Sequence, residues 1–143
     1  MAGVYFTFNN FKSLLQLNIG IAQRLDENRA ESFTLLYCDF GDVATENIKE
    51  TLATALRNSD SIVHYDTDYY FVLPYTDKYG AEVVKQIFED LFERDIPNFM
   101  ISYPVDGESA AELLEMMQDS VSTFLKKDLD YLDRFFLEEE EKE

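Results

Sequence analysis

Of 143 residues, one is cysteine and one is histidine. A lone Cys38 rules out an internal disulfide and fits a reducing compartment, so a cytoplasmic location is expected. It lies in an apolar run and reads as a small buried hydrophobe. A lone His64 excludes a metal cluster built on histidines and leaves no Ser-His-Asp or Cys-His set. No glycine-rich phosphate loop is present. Basic residues are scarce too, 12 against 29 acids, for a net charge of −17. Apart from Lys126-Lys127 they are scattered singly. Such a chain repels nucleic acid and anionic lipid, and neither is expected as a partner. No apolar run approaches the roughly 18 residues of a membrane helix, so no membrane insertion is expected. The start, "MAGVYFTFNNFK", lacks the basic and apolar regions of a signal peptide. No repeat, linker or low-complexity segment divides the chain.

What remains is a chain with 46% hydrophobic and 15% aromatic residues, enough for one domain with a real core. Residues 9–28 space Phe11, Leu14, Leu15, Leu17, Ile19, Ile21 and Leu25 as a helix does, with Asn9 or Asn10 as the cap. "SFTLLYCDF", 32–40, is a short continuous apolar run that ends in an acid, the mark of a central strand covered on both faces. A second helix is expected over 45–59, with Ile48, Leu52, Ala55 and Leu56 on one side. "SIVHYD" and "YYFVLPY" read as a hairpin. A third helix over 78–95 is expected to turn Val83, Val84, Ile87, Phe88, Leu91 and Phe92 inward. "NFMISYP", 98–104, is another strand, and 109–136 is one long helix or two. The order predicts an α/β fold of the α+β sandwich kind: a mostly antiparallel sheet in a split βαβ arrangement, with helices on its faces. A single domain is expected over 1–137, followed by a solvated acidic tail, 138–143.

The hairpin carries an oddity. Its tip, in "HYDTDYYFVLP", 64–74, holds two acids and no glycine, although such tips favour residues that accept positive φ. Together with its surroundings it resembles the GGDEF family, the diguanylate cyclase domain. Asp66, Thr67, Asp68, Tyr69 and Tyr70 stand at the five signature positions. "VHYDTDYYFVLPYTD" is similar to the family's "aRYGGDEFvvllPdTd". Upstream, "LRNSD", 56–60, matches an Arg-x-x-Asp motif at the family's usual distance. Downstream, "SYPVDGESAAELLEMMQDSVSTFLKK" is similar to "SiGvA..P.dg....eLl..AD.AlY.AK", which puts Asp119 and Lys126 on its Asp and Lys. The resemblance spans roughly residues 10–127 and implies a nucleotide-cyclase-like fold.

The resemblance also implies a site. Active members join two GTP-loaded domains and hold divalent metal on the triphosphate with carboxylates. Mg²⁺ is the cation such oxygen ligands suit. The implied ligands are Asp39 and Asp68. The plainer reading of each is a polar strand end and a turn acid. Other parts are missing. Asp66 and Thr67 replace the glycines that let a backbone approach the nucleotide. Asp66 adds a negative charge where phosphates would lie, a repulsion of about 4 kcal/mol at about 4 Å and an effective dielectric near 20. The signature Glu is Tyr69. The guanine-recognising loop after the first strand is shortened, and His64 stands where active members often carry Arg. Lys126 is the implied phosphate contact, or else an ordinary solvated lysine.

Arg57 and Asp60 are what survives. In active members this pair binds the product, cyclic di-GMP. A guanidinium makes bidentate contacts to phosphate or guanine, a carboxylate accepts from guanine donors, and the three-residue spacing is expected to point both outward. The plainer reading is a helix-end Arg paired to Asp60. The expectation is thus a catalytically inactive GGDEF-like regulatory module, no enzyme, requiring no cofactor. It is either a cyclic di-GMP receptor through Arg57 and Asp60, or a protein-interaction or dimerisation scaffold with no nucleotide ligand. A residual metal-dependent enzyme acting on nucleotides through Asp39 and Asp68 is the third reading. Tyr131, Leu132, Phe135 and Phe136 offer a surface for a partner protein or a second copy, unless they fold back on the core.

Overall fold

A computed structural model describes residues 3–25 and 30–136. Five strands form one mixed sheet: β1 (Val4–Tyr5), β2 (Glu31–Asp39), β3 (Ser61–Tyr65), β4 (Asp68–Pro74) and β5 (Asn98–Pro104). Their spatial order is β1-β3-β4-β2-β5. Only the edge pair β1–β3 is parallel; the other three pairings are antiparallel. The helices are α1 (Phe11–Leu25), α2 (Ile48–Ala55), α3 (Lys78–Phe92) and α4 (Ala110–Leu125). The expected mostly antiparallel sheet with helical cover is therefore present.

β2 pairs on both sides, with β4 and with β5, and residues 33–38 are all buried. A strand covered on both faces has no solvent side, and this explains its unbroken apolar run. Alternation divides the core in two. Phe33, Leu35, Tyr37, Val63, Tyr70 and Val72 pack against α1, α4 and the chain beyond α4. Leu36, Cys38, Ile62, Tyr69, Phe71 and Leu73 pack against α2 and α3. Thr34, buried among them, is satisfied by the Thr76 carbonyl at 2.7 Å and the Ser102 hydroxyl at 2.8 Å.

Local chemistry sets the helix ends. Asp77 accepts from the Gly80 N–H at 2.8 Å to start α3, and Ser109 accepts from the Glu112 N–H at 3.1 Å to start α4. A 3-10 turn, Phe8–Asn10, leads into α1, with Asn10 donating to the Thr7 hydroxyl, so neither Asn9 nor Asn10 is the cap. The helix expected over 9–28 is Phe11–Leu25, with 26–29 outside the described residues. The one expected over 45–59 is a 3-10 turn, Thr45–Asn47, followed by α2.

Two expectations need correction. On α3 only Ala81 and Phe88 are buried; Val83, Ile87 and Leu91 lie on its solvent side, in line with Tyr79. At the end of the chain, 109–136 is not one helix. α4 stops at Leu125, and Lys126 takes a left-handed conformation, φ 57°. The chain then turns back. A 3-10 turn, Asp130–Leu132, and a final helical turn, 133–136, lay Leu129, Leu132 and Phe135 into the core beside α1 and α4. The aromatic end is therefore packed, not presented to a partner. The acidic tail, 138–143, lies outside the described residues.

Candidate functional site

The pairing of β2 with β4 sets Asp39, the last residue of β2, directly opposite Asp68, the first of β4. Tyr37 and Tyr70, two residues further in on the same face, pair likewise. Asp68 begins β4 because the hairpin tip is only Asp66 and Thr67. Asp66 supplies the positive φ of that tip, 56°, a conformation aspartate tolerates better than most side chains. The Thr67 carbonyl accepts from the Phe40 N–H at 2.9 Å and ties the tip to the end of β2.

The two carboxylates are not open. Lys127 comes in from beyond α4 and places its Nζ 2.5 Å from Asp68 Oδ1 and 3.2 Å from Asp39 Oδ2. Asp68 also accepts from the Tyr37 hydroxyl on Oδ1 and the Tyr131 hydroxyl on Oδ2, each at 2.7 Å. Tyr131 and Tyr70 share a further hydrogen bond of 2.6 Å. Asp39 Oδ1 accepts from the Gly41 N–H at 2.9 Å. Burial works against the charge on Lys127, but the hydrogen bond and charge of Asp68, with Asp39 behind it, outweigh burial and raise its pKa. Burial, reinforced by Asp68, holds the Tyr37 hydroxyl protonated far above the ordinary tyrosine range; burial, with Tyr70 and Asp68, does the same for Tyr131.

As a donor set this is two carboxylates sharing one ammonium. Mg²⁺ asks for several oxygen ligands and near-octahedral space, so it does not fit these residues as arranged; it would have to displace Lys127. Among the described residues no group of three or more His, Cys, Asp or Glu side chains is disposed around a common point for a metal ion.

The signature tyrosines serve packing. Tyr69 faces the α2–α3 side, stacked on His64 with centroids 4.7 Å apart and tilted against Phe40 at 4.9 Å. Tyr70 is fully buried on the opposite side. Lys126, the implied phosphate contact, is the exposed left-handed residue ending α4. Its neighbour Lys127 is the lysine that enters the site.

Arg57 and Asp60 lie elsewhere, in the loop between α2 and β3. The expectation that both point outward does not hold. Asp60 is 2% exposed and accepts from the Arg57 N–H and from Nη2, each at 2.8 Å. Arg57, 53% exposed at its side chain, also donates to the Pro74 carbonyl at 2.7 Å and the Thr76 hydroxyl at 3.0 Å. The pair clamps the end of α2 to the end of β4.

Sequence reasoning missed Tyr37, Lys127 and Tyr131. The Lys126-Lys127 pair was the visible signal for one of them, and the aromatic run 131–136 for another. No protein-family model matches the chain, and no curated protein is significantly similar to it.

Proposed function

We propose that this chain is a GGDEF-like module that makes no cyclic di-GMP and works as a regulatory interaction domain. The observation that carries the reading is the Lys127 ammonium between Asp39 and Asp68. A side chain tethered to the same domain fills the place where the resemblance would put Mg²⁺, and its one positive charge is shared by the two carboxylates. The split βαβ order, β2-α2-β3-β4-α3-β5, agrees with the fold the resemblance implies. So does the opposition of Asp39 and Asp68 across two antiparallel strands. The substitutions at the tip lead the same way. A left-handed Asp66 takes the position of a glycine, and Tyr69 packs against His64 where the signature has a carboxylate.

Within that reading the ligand is a protein, either a partner or a second copy. Cyclic di-GMP is the second reading, favoured by the half-exposed Arg57 guanidinium. A nucleotide there would have to draw Arg57 away from Asp60, which is itself too buried to meet a guanine edge. Calorimetric titration of cyclic di-GMP into the wild type and Arg57→Ala separates the two. The interaction reading expects no saturable heat at concentrations that reveal about −6 kcal/mol of binding. Saturable binding lost in Arg57→Ala would establish the receptor instead.

A further inference from the structure

We propose that residues 127–135 are a displaceable internal ligand, and that the cleft they fill is the docking site of this module. The proposal rests on the interaction reading above. The cleft is built by Asp39 and Asp68 at the sheet end, with Phe8, Phe11, Tyr65 and Tyr70 around them. Its partner is a peptide segment of the strap's own chemistry: a lysine, a tyrosine four residues on, a leucine beside it and a phenylalanine three further.

Three observations support this. First, α4 holds the strap by Gln118, which donates to the Leu129 carbonyl at 3.2 Å and the Asp133 carboxylate at 3.0 Å, but the other polar and ring anchors are on elements remote in sequence. Lys127 and Tyr131 meet Asp68. The Tyr131 ring stacks on Tyr65 with centroids 4.1 Å apart. The Phe135 carbonyl accepts from Lys12 at 3.0 Å. Arg134 lies over the Phe8 and Tyr65 rings at 5.2 and 5.5 Å. Such contacts, polar anchors flanking buried Leu129, Leu132 and Phe135, are those of a peptide in a groove.

Second, the strap has a hinge. Lys126 is left-handed and residues 127–129 belong to no helix, so the strap is joined to α4 by a bend rather than by a continuous rod. A change at a few backbone angles frees it as a unit.

Third, the far wall of the cleft is assembled without the strap. The Tyr37–Asp68 and Asp39–Gly41 hydrogen bonds and the β2–β4 register involve none of its residues. Opening would leave a preformed aromatic surface whose two carboxylates, Asp39 and Asp68, attract the single lysine of an incoming segment. While closed, the tethered strap competes at an effective concentration on the order of millimolar, so a free peptide is excluded.

The test is a labelled peptide of residues 126–136, titrated by fluorescence anisotropy with the full-length wild type and with Lys127→Met/Tyr131→Phe. The expected result is binding at least about tenfold tighter to the double variant than to the wild type, and none by a peptide carrying the same two substitutions. Hydrogen exchange in parallel is expected to show the strap amides at least about tenfold less protected than those of β2 in the wild type. No peptide binding by a cooperatively folded double variant, equal binding by both proteins, or strap amides that open only with β2 would overturn the proposal. If the double variant fails to fold, Tyr131→Phe alone replaces it with the same outcomes. Failure here leaves the interaction reading standing, since that reading is contradicted by saturable cyclic di-GMP binding or by GTP turnover and not by a missing peptide complex.

Discussion

Lys127 Nζ and Asp68 Oδ1 are 2.5 Å apart although 59 positions separate the two residues in the chain. Lys127 is about one-third exposed and Asp68 is buried, so the contact is neither a surface ion pair nor a fully dry one. Lys127→Met leaves Asp68 with its two tyrosines and without its cation. The expected cost is about 2 kcal/mol, read from the midpoint of denaturant unfolding. The neighbouring substitution Lys126→Met is expected to change stability by less than about 0.5 kcal/mol. Equal effects of the two would contradict the placement of Lys127.

High pH offers a second check. Lys127, Tyr37, Tyr70 and Tyr131 all have raised pKa values in the folded chain. A raised folded value means the native state holds its proton more tightly than the unfolded chain does. The stability so conferred is complete below the ordinary values, 10.0 for tyrosine and 10.5 for lysine, and is lost as pH rises beyond them. Unfolding free energy is therefore expected to fall steeply above about pH 10, and less steeply in Tyr131→Phe. A curve flat to pH 12, or one unchanged by Tyr131→Phe, would speak against the buried network.

Arg57 supplies the side-chain cation that offsets the charge of Asp60. Arg57→Ala leaves the Asp60 carboxylate, 2% exposed, with a backbone N–H alone. A loss of about 2 kcal/mol is expected, whereas Asn58→Ala changes little. If Arg57→Ala is neutral by thermal or chemical unfolding, the clamp between α2 and β4 is not structural.

At the hairpin tip, Asp66 holds φ at 56°. Asp66→Gly is expected to lie within about 0.5 kcal/mol of the wild type. Asp66→Val, whose branched Cβ resists that conformation, is expected to lose about 1–2 kcal/mol. Comparable stabilities for the two variants would show that the tip does not need the left-handed residue.

Two adjacent residues of α3 probe the corrected helix face. Phe88 is fully buried between the sheet and the helix, and Ile87 is exposed. Phe88→Ala is expected to cost about 3–5 kcal/mol and Ile87→Ala under about 1 kcal/mol.

The hairpin and the doubly covered β2 were legible because each is written locally, in an apolar run or a short polar tip, whereas the two-residue edge strand β1 is too short to leave a pattern. The exposed side of α3 was not legible. Val83, Ile87 and Leu91 obey helical spacing as well as Val84 and Phe88 do, and only the neighbouring elements decide which flank is covered. The carboxylate pair was legible through the hairpin, but its occupant was not. A single left-handed residue at Lys126 rotates the chain so that the second lysine of a pair enters the site. Nothing local tells the two apart. The same bend hides the return of Leu132 and Phe135 to the core, since their spacing continues that of α4. Arg57 and Asp60 were legible as a pair, and their direction was not, because the Arg57 guanidinium is held by Pro74 and Thr76 from the next hairpin strand and loop.

The central claim, that Lys127 occupies the carboxylates in place of a metal and the chain makes no cyclic dinucleotide, is tested most directly by turnover. The wild type is incubated with GTP and Mg²⁺ or Mn²⁺, and the products are separated. The account predicts no cyclic di-GMP at any protein concentration. Product that forms with the wild type and disappears in Asp68→Asn would contradict it.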